Sequence, residues 1–335
     1  MSHVSLEELY NVNPNSAPNY FHCEYDAKLM KLVREHLACL WVAGDVDLAK
    51  DSIENDCPEN VKKAVKIALA FLMRADDLVV NKLCDVTMYD VLPDRQFFSA
   101  IQKLIEIVHR EVYTKMVVTQ MTVSEFERLE SWGNVHLHKL FGWLDCAPEK
   151  DSTPYVDVSK WAAMEGIVFN FAFALFCWLR YKNLLPEFTK ANEYIMRDEQ
   201  YHAAAWLRTL GLLKDAGPQN ESSVNPLKVF LAAHLAQDEI IELMPKSLQY
   251  EIRRGSDYLT AAFLRSIPNY INVLRLSKWY TLLSTADAEL YDLLINAPMP
   301  EYLEASKRIT KTQFLDNNAG GYEYHRWDVK QDIDF

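Results

Sequence analysis

The sequence predicts an all-α protein, and three observations carry that prediction. Glycine is scarce: nine in 335 residues, none of them between Gly44 and Gly133 or between Gly255 and Gly320. Sheet proteins need glycine in many tight turns, so stretches of this length without it suit helices. The prolines set off long runs whose apolar residues return at helical spacing. No alternating strand pattern and no hairpin dipeptide competes with them.

The elements follow in chain order. Asp56 is a candidate cap and Pro58 a tolerated first-turn residue for a helix running toward Pro93. On it Leu69, Leu72, Asp76, Val79, Val80 and Leu83 share a face. A second helix is expected from about Asp94 to Met121 and a third from about Tyr155 to Lys182. Pro186 introduces a fourth, to about Leu213, before the loop DAGPQNESS. Further helices are expected from about Asn225, Lys246 and Asn269. The last two dozen residues, TQFLDNNAGGYEYHRWDVKQDIDF, lose the helical period and read as a flexible tail. The expected organisation is an N-terminal extension over 1–24, a helical domain over 25–311 and a tail over 312–335.

Half the residues are apolar and 12% aromatic, as in a globular chain. A net charge of −12 argues against nucleic acid or an anionic membrane surface as partner and favours cations held by carboxylates. The six cysteines show neither C-x-x-C spacing nor a disulfide framework, and the first twenty residues have no signal-peptide core. The expected location is the cytoplasm. One run, Trp161 to Leu179, has almost the length of a membrane span but carries Glu165 and Asn170 inside it. A helix buried on all sides accounts for it better, and Glu165 then needs a partner.

That partner comes from a repeated constellation. Glu106 and His109 form one E-x-x-H pair, and Glu199 and His202 form another. Residues three apart lie on one helix face and can grip one metal together. Asp76 lies thirty residues before Glu106, and Glu165 thirty-four before Glu199, each an acid on an apolar face one helical hairpin upstream. As surface acids and ordinary core histidines the six make no sense together, since buried carboxylates without a cation cost several kcal/mol each. Together they are the ligand set of ferritin-like di-iron and di-manganese bundles. So oxygen-rich a site suits iron or manganese better than zinc. Tyr113 follows His109 by one turn, and Phe169, Phe173 and Ile195 lie within two turns of ligands, which could enclose it in a dry pocket.

The segments AFLMRADDLV, IEIVHREVY, AMEGIVFNFAF and MRDEQYH resemble the four metal-binding helices of the small subunit of class I ribonucleotide reductase. The resemblance runs from about Trp41 to the end of the chain and implies a ferritin-like helical bundle with additional helices. It implies two iron ions per chain, in preference to manganese. Asp76, Glu106 and His109 would hold one, and Glu165, Glu199 and His202 the other. Tyr113 matches the radical tyrosine, with Phe169, Phe173 and Ile195 around it. Asp198 matches the acid that hydrogen-bonds a histidine ligand, and Trp41 the tryptophan continuing the electron path. Tyr322, with Tyr324 close by, falls where the family has a mobile tyrosine linking the two subunits. The pair Asp76-Asp77 and the phrase KNLLP are similar to small subunits of herpesviruses. Met196, where the family has serine, and Gln313-Phe314-Leu315 depart from its pattern.

The implied activity is that of ribonucleoside-diphosphate reductase. Oxygen reacts at the di-iron centre, Tyr113 becomes a stable radical, and the oxidising equivalent passes to a large subunit that reduces ribonucleotides. The implied partners are that subunit, docked through a C-terminal peptide anchored by Ile333 and Phe335 and steered by Asp332 and Asp334, and a second copy of the chain. Two other classes share parts of the pattern. A di-iron oxidase, oxygenase or desaturase would keep the six ligands without needing Tyr113, Trp41 or the tail, and a non-catalytic stabilising subunit would usually have lost ligands.

Overall fold

The computed structural model of the chain describes residues 26–83, 93–136, 154–213 and 225–305. Tyr322, Tyr324, Ile333, Phe335 and the acids beside them lie outside the described residues, as does the N-terminal extension. Among the described residues there is no strand. The helices used below are α1 (Ala27–Leu37), α2 (Glu59–Leu83), α3 (Pro93–Gln120), α4 (Val123–His136), α5 (Pro154–Ala163), α6 (Asn170–Tyr181), α7 (Pro186–Leu212), α8 (Pro226–Leu243), α9 (Lys246–Tyr270), α10 (Val273–Thr281) and α11 (Thr285–Ile295).

Five of them, α2, α3, α5, α6 and α7, build the frame around the site. α2 packs along α3, and α5 and α6 pack along α7, while α8 and α9 cover the outer side of α5 and α6 and α1 lies across α3 and α7. Leu69, Leu72, Asp76 and Val79 are all buried, so the face expected on α2 does turn inward. The run that could cross a bilayer by length and composition is a core helix here, with 89% of its most apolar window buried inside the protein. Cys57 is buried and Cys39 half-buried, both as free thiols, and Cys177 is buried.

The helix ends show where long-range contacts decide. Asp56 does not cap α2; its carboxylate accepts the Ser52 N–H at 2.8 Å, closing a short turn before the helix. α7 opens on Leu185, at φ 49°, followed by Pro186, and Leu185 supplies no side-chain cap. The cap comes from Asp51, whose two oxygens accept the N–H groups of Phe188 at 2.7 Å and Glu187 at 3.3 Å. The helix expected from Asn269 does not start there. α9 continues through Pro268 to Tyr270, and Asn272 caps α10 by accepting the Leu274 N–H at 2.8 Å. α1, α4 and α11 add to the helices expected. α4 has a capping box in Thr122 and Glu125, and Ser284 caps α11 by accepting the Asp287 N–H.

The third expected helix is interrupted. Between α5 and α6, Met164–Val168 forms a turn of π-helix that carries Glu165. A π-turn widens the helix and releases backbone groups, which need other partners. Asn170 Nδ2 takes the Gly166 carbonyl at 3.0 Å, and Gln237 of α8 takes the Phe171 N–H at 3.1 Å. Gly166 is required, because a Cβ there would lie 2.2 Å from the Phe263 ring of α9. Neighbouring helices therefore hold the distortion and, with it, the direction of Glu165.

Candidate metal centre

α3 presents Gln102, Glu106, His109 and Tyr113 at successive turns of one buried face. α7 does the same with Asn192, Ile195, Glu199 and His202. Asp76 comes from α2, and Glu165 from the π-turn. All six ligand candidates are buried, the most exposed being Glu199 at 4%.

Ligand atoms of Glu106, Glu165, Glu199 and His202 lie within 4.8 Å of one another. His202 Nδ1 faces oxygens of Glu106 at 3.0 Å, Glu199 at 3.1 Å and Glu165 at 3.7 Å. His109 joins from the other side, its Nδ1 3.1 Å from Glu199 Oε1 and 3.4 Å from Glu106 Oε2. Asp76, from α2, is buried and feels the charges of Glu106, His109 and Glu199. Asp76 Oδ2, Glu106 Oε1, Glu165 Oε2 and His109 Nδ1 are buried without a hydrogen bond of good geometry. Orphaned acceptors of this kind, converging on one space, fit a dinuclear cation site.

The electrostatics agree. Burial pushes Asp76 well above the ordinary carboxylate range, and the charge of Glu106 adds to it. Burial raises Glu165 likewise, helped by Glu199 and Glu106. Glu199 is also pushed up by burial, but the His202 charge and the contacts with both histidines outweigh this and leave it low. Burial lowers His109 and His202, and the surrounding carboxylates reverse the sign and raise both.

Behind the ligands stands a connected polar line. Asp198 Oδ2 accepts His109 Nε2–H at 3.3 Å and Trp41 Nε1–H at 2.7 Å. That bond leaves the His109 Nδ1 lone pair for a metal. Arg197 binds Asp198 Oδ1 at 3.0 Å and the Cys39 carbonyl at 2.7 Å, fixing the loop that carries Trp41. Tyr113 is 1% exposed, and Phe169, Phe173 and Ile195 are each 3% exposed or less within the same large core cluster.

Three residues that the motifs did not single out also belong to the site. Gln102 donates Nε2–H to Glu165 Oε1 at 2.9 Å. Asn192 accepts the Tyr113 hydroxyl at 2.9 Å. His36 of α1 lies with its ring 5.1 Å from that of His202. Gln102 stands four residues before Glu106 and Asn192 seven before Glu199, so counting turns back from the ligands reaches both. His36 has no such signal.

The model of the family described as ribonucleotide reductase, small chain, matches residues 17–270. The chain belongs to the ribonucleotide reductase small-chain family. Among curated proteins it is similar to the ribonucleoside-diphosphate reductase small chain of Schizosaccharomyces pombe, 28% identical over 175 residues, covering 49% of this chain and 44% of that one. The vaccinia virus (strain Western Reserve) small chain is 27% identical over 209 residues, 59% of this chain and 63% of that one. The chain thus spans about half to two-thirds of the length of these relatives. Among solved structures, Streptococcus sanguinis dimanganese(II)-NrdF superposes with a TM-score of 0.62 at 15% identity, covering 79% of this chain and 97% of that one. The Rnr4 homodimer of Saccharomyces cerevisiae gives 0.57 at 21%, covering 72% and 79%. At these identities the structures speak for the ferritin-like helical fold of the family.

Proposed function

We propose that this chain is the radical-generating small subunit of ribonucleoside-diphosphate reductase. Asp76, Glu106 and His109 would hold one iron ion, and Glu165, Glu199 and His202 a second. The observation that carries the reading is the meeting of Glu106, Glu165, Glu199 and His202 in one buried space, with His109 against two of them and Tyr113 one turn beyond His109 on α3. Iron bound there supplies, on reaction with dioxygen, a one-electron oxidant.

The chain's own residues account for the rest. Tyr113 is the group to be oxidised, losing one electron and one proton. Phe169, Phe173 and Ile195 keep water and reductants from it. His109, Asp198 and Trp41 form the hydrogen-bonded line toward the surface, and Tyr322 continues it to a large subunit that carries the nucleotide chemistry. The tail docks there through Ile333 and Phe335. We further propose that the chain pairs with a second copy through the outer face of α3, where Phe97, Leu104 and Ile107 are each more than half exposed.

Two experiments test this. Iron and oxygen added to the metal-free protein are expected to give a tyrosyl electron-spin-resonance signal. Tyr113→Phe should lose the signal and nucleotide reduction while retaining metal. Its folding cost is about 1–3 kcal/mol, because the Asn192 acceptor is left unsatisfied. A normal signal in Tyr113→Phe assigns the radical elsewhere. Deleting residues 328–335 should leave iron and radical intact and abolish turnover with the large subunit; full activity at low subunit concentration rejects the docking role.

A further inference from the structure

The tyrosine pocket holds one polar side chain that the ligand set and the relay leave unused. Asn192 is buried, 2% exposed, on the turn of α7 that precedes Ile195. Its Nδ2–H donates to the Phe188 carbonyl at 2.8 Å, and its Oδ1 accepts the Tyr113 hydroxyl at 2.9 Å. The Phe188 carbonyl can only accept, so it dictates which end of the amide meets the tyrosine. The ring of Phe188 stands edge-on to Tyr113, with centroids 6.4 Å apart.

A neutral amide oxygen in this place has two chemical consequences. It accepts a phenol O–H well, yet it is no base and cannot take the proton away. Once Tyr113 has lost its electron and proton, the phenoxyl oxygen is an acceptor only. It then faces another acceptor. Rotating the amide would offer Nδ2 to the phenoxyl but set Oδ1 against the Phe188 carbonyl, exchanging one mismatch for another.

We propose that Asn192 is a positioning residue for Tyr113 that hydrogen-bonds the phenol and not the phenoxyl, favouring the reduced tyrosine and leaving the radical without a hydrogen bond. This rests on the reading of Tyr113 as the redox group. In the step, the Tyr113 O–H bond breaks. Its electron would go to the oxidant that iron held at the carboxylate and histidine site supplies with dioxygen. The proton would go to the oxygen that is reduced in that reaction, and not to Asn192.

The test uses the full chain in two states. In the metal-free protein, ultraviolet resonance Raman spectra are taken as the difference from Tyr113→Phe, which isolates this one phenol. The wild-type phenol should read as a hydrogen-bond donor, and Asn192→Leu should lose that signature. In the iron-loaded protein, high-field spin resonance and proton ENDOR after exchange into D₂O read the radical. The wild type should show no exchangeable proton at the phenoxyl oxygen. Asn192→Asp, whose carboxyl can hold a proton, should introduce one and lower the largest g value. Asn192→Leu should change the β-methylene couplings that report the ring torsion and let the radical persist roughly five-fold longer, the factor that one ordinary hydrogen bond is worth. An exchangeable proton on the wild-type phenoxyl, or an unchanged Raman difference in Asn192→Leu, overturns the proposal alone. No radical in fully loaded wild type overturns the reading of Tyr113 and this proposal with it.

Discussion

The two half-sites have the same ligand chemistry and different surroundings. His109 is backed by a carboxylate: Asp198 ties it to the indole of Trp41 and to Arg197. His202 is backed by rings, His36 with centroids 5.1 Å away and Phe98 edge-on at 6.2 Å, and its Nε2 has no hydrogen-bond partner. Burial above all, and then the charge of His202, holds His36 down at about 3, so that ring stays neutral near pH 7. A carboxylate joins the first half-site's imidazole to the indole directly, whereas the second half-site meets the same carboxylate only across the neutral ring of His36, whose Nε2 lies 3.7 Å from Asp198 Oδ1. The ligand repeat supports the proposed metal binding, and the asymmetry behind it gives the proposed relay its direct path through Asp198 and Trp41.

The largest effects come from residues that belong to both halves. Glu199 reaches both histidines at 3.1 Å, and Glu106 lies 3.0 Å from one and 3.4 Å from the other. Glu106→Ala or Glu199→Ala is therefore expected to lower bound iron from about two ions per chain to near zero. Asp76→Ala, confined to one half, should leave about one ion, and elemental analysis of the loaded proteins separates these outcomes. Wild-type iron content in Glu199→Ala defeats the assignment of the site.

The relay tests the asymmetry itself. Trp41→Phe removes the N–H that Asp198 accepts, while the buried ligands stay as they are. The radical should form normally, and turnover with the large subunit should fall about 100-fold or more, a barrier increase of about 2.7 kcal/mol. His36→Leu removes a ring that faces Asp198 at 3.7 Å without a hydrogen bond, and should change turnover by less than about threefold, the equivalent of under 1 kcal/mol. Equal losses in the two variants erase the distinction between the halves.

What the sequence made legible follows from spacing. Two E-x-x-H pairs and two lone acids on apolar faces announce themselves because helical period ties residue types to a common side, and the four long helices bearing them were expected to within a few residues at the ends that are described. Single polar residues carry no such period of their own: Gln102 and Asn192 are reached only by counting turns back from the ligands, and His36 appears only when the helices are brought together. The same holds for Asp51, which caps α7 from more than a hundred residues away. The π-turn at Glu165 was also out of reach, because α8 and α9 stabilise it through Gln237 and the close approach of Phe263 to Gly166. Tertiary contacts decide these features, and local pattern does not encode them.

The smallest effect sharpens the comparison most selectively. Gln102 sits on α3 beside the first half-site's ligands but donates to Glu165 of the second, at 2.9 Å and in full burial. Burial and the charges of Glu199 and Glu106 push Glu165 toward its neutral form, which is a poor ligand. A hydrogen bond donated to the carboxylate works against that push and fixes which oxygen turns toward the metal. Gln102→Leu keeps the shape and removes the donor, so the fold and the first half-site should stay intact. Affinity at the second half-site should fall about 10–100-fold, as is usual when a ligand loses its orienting partner. Competition against a chelator reads this as one tight and one weakened ion per chain. Two unchanged affinities show that the π-turn alone orients Glu165, and weakening of both ions shows that the half-sites are coupled more closely than their separate surroundings imply.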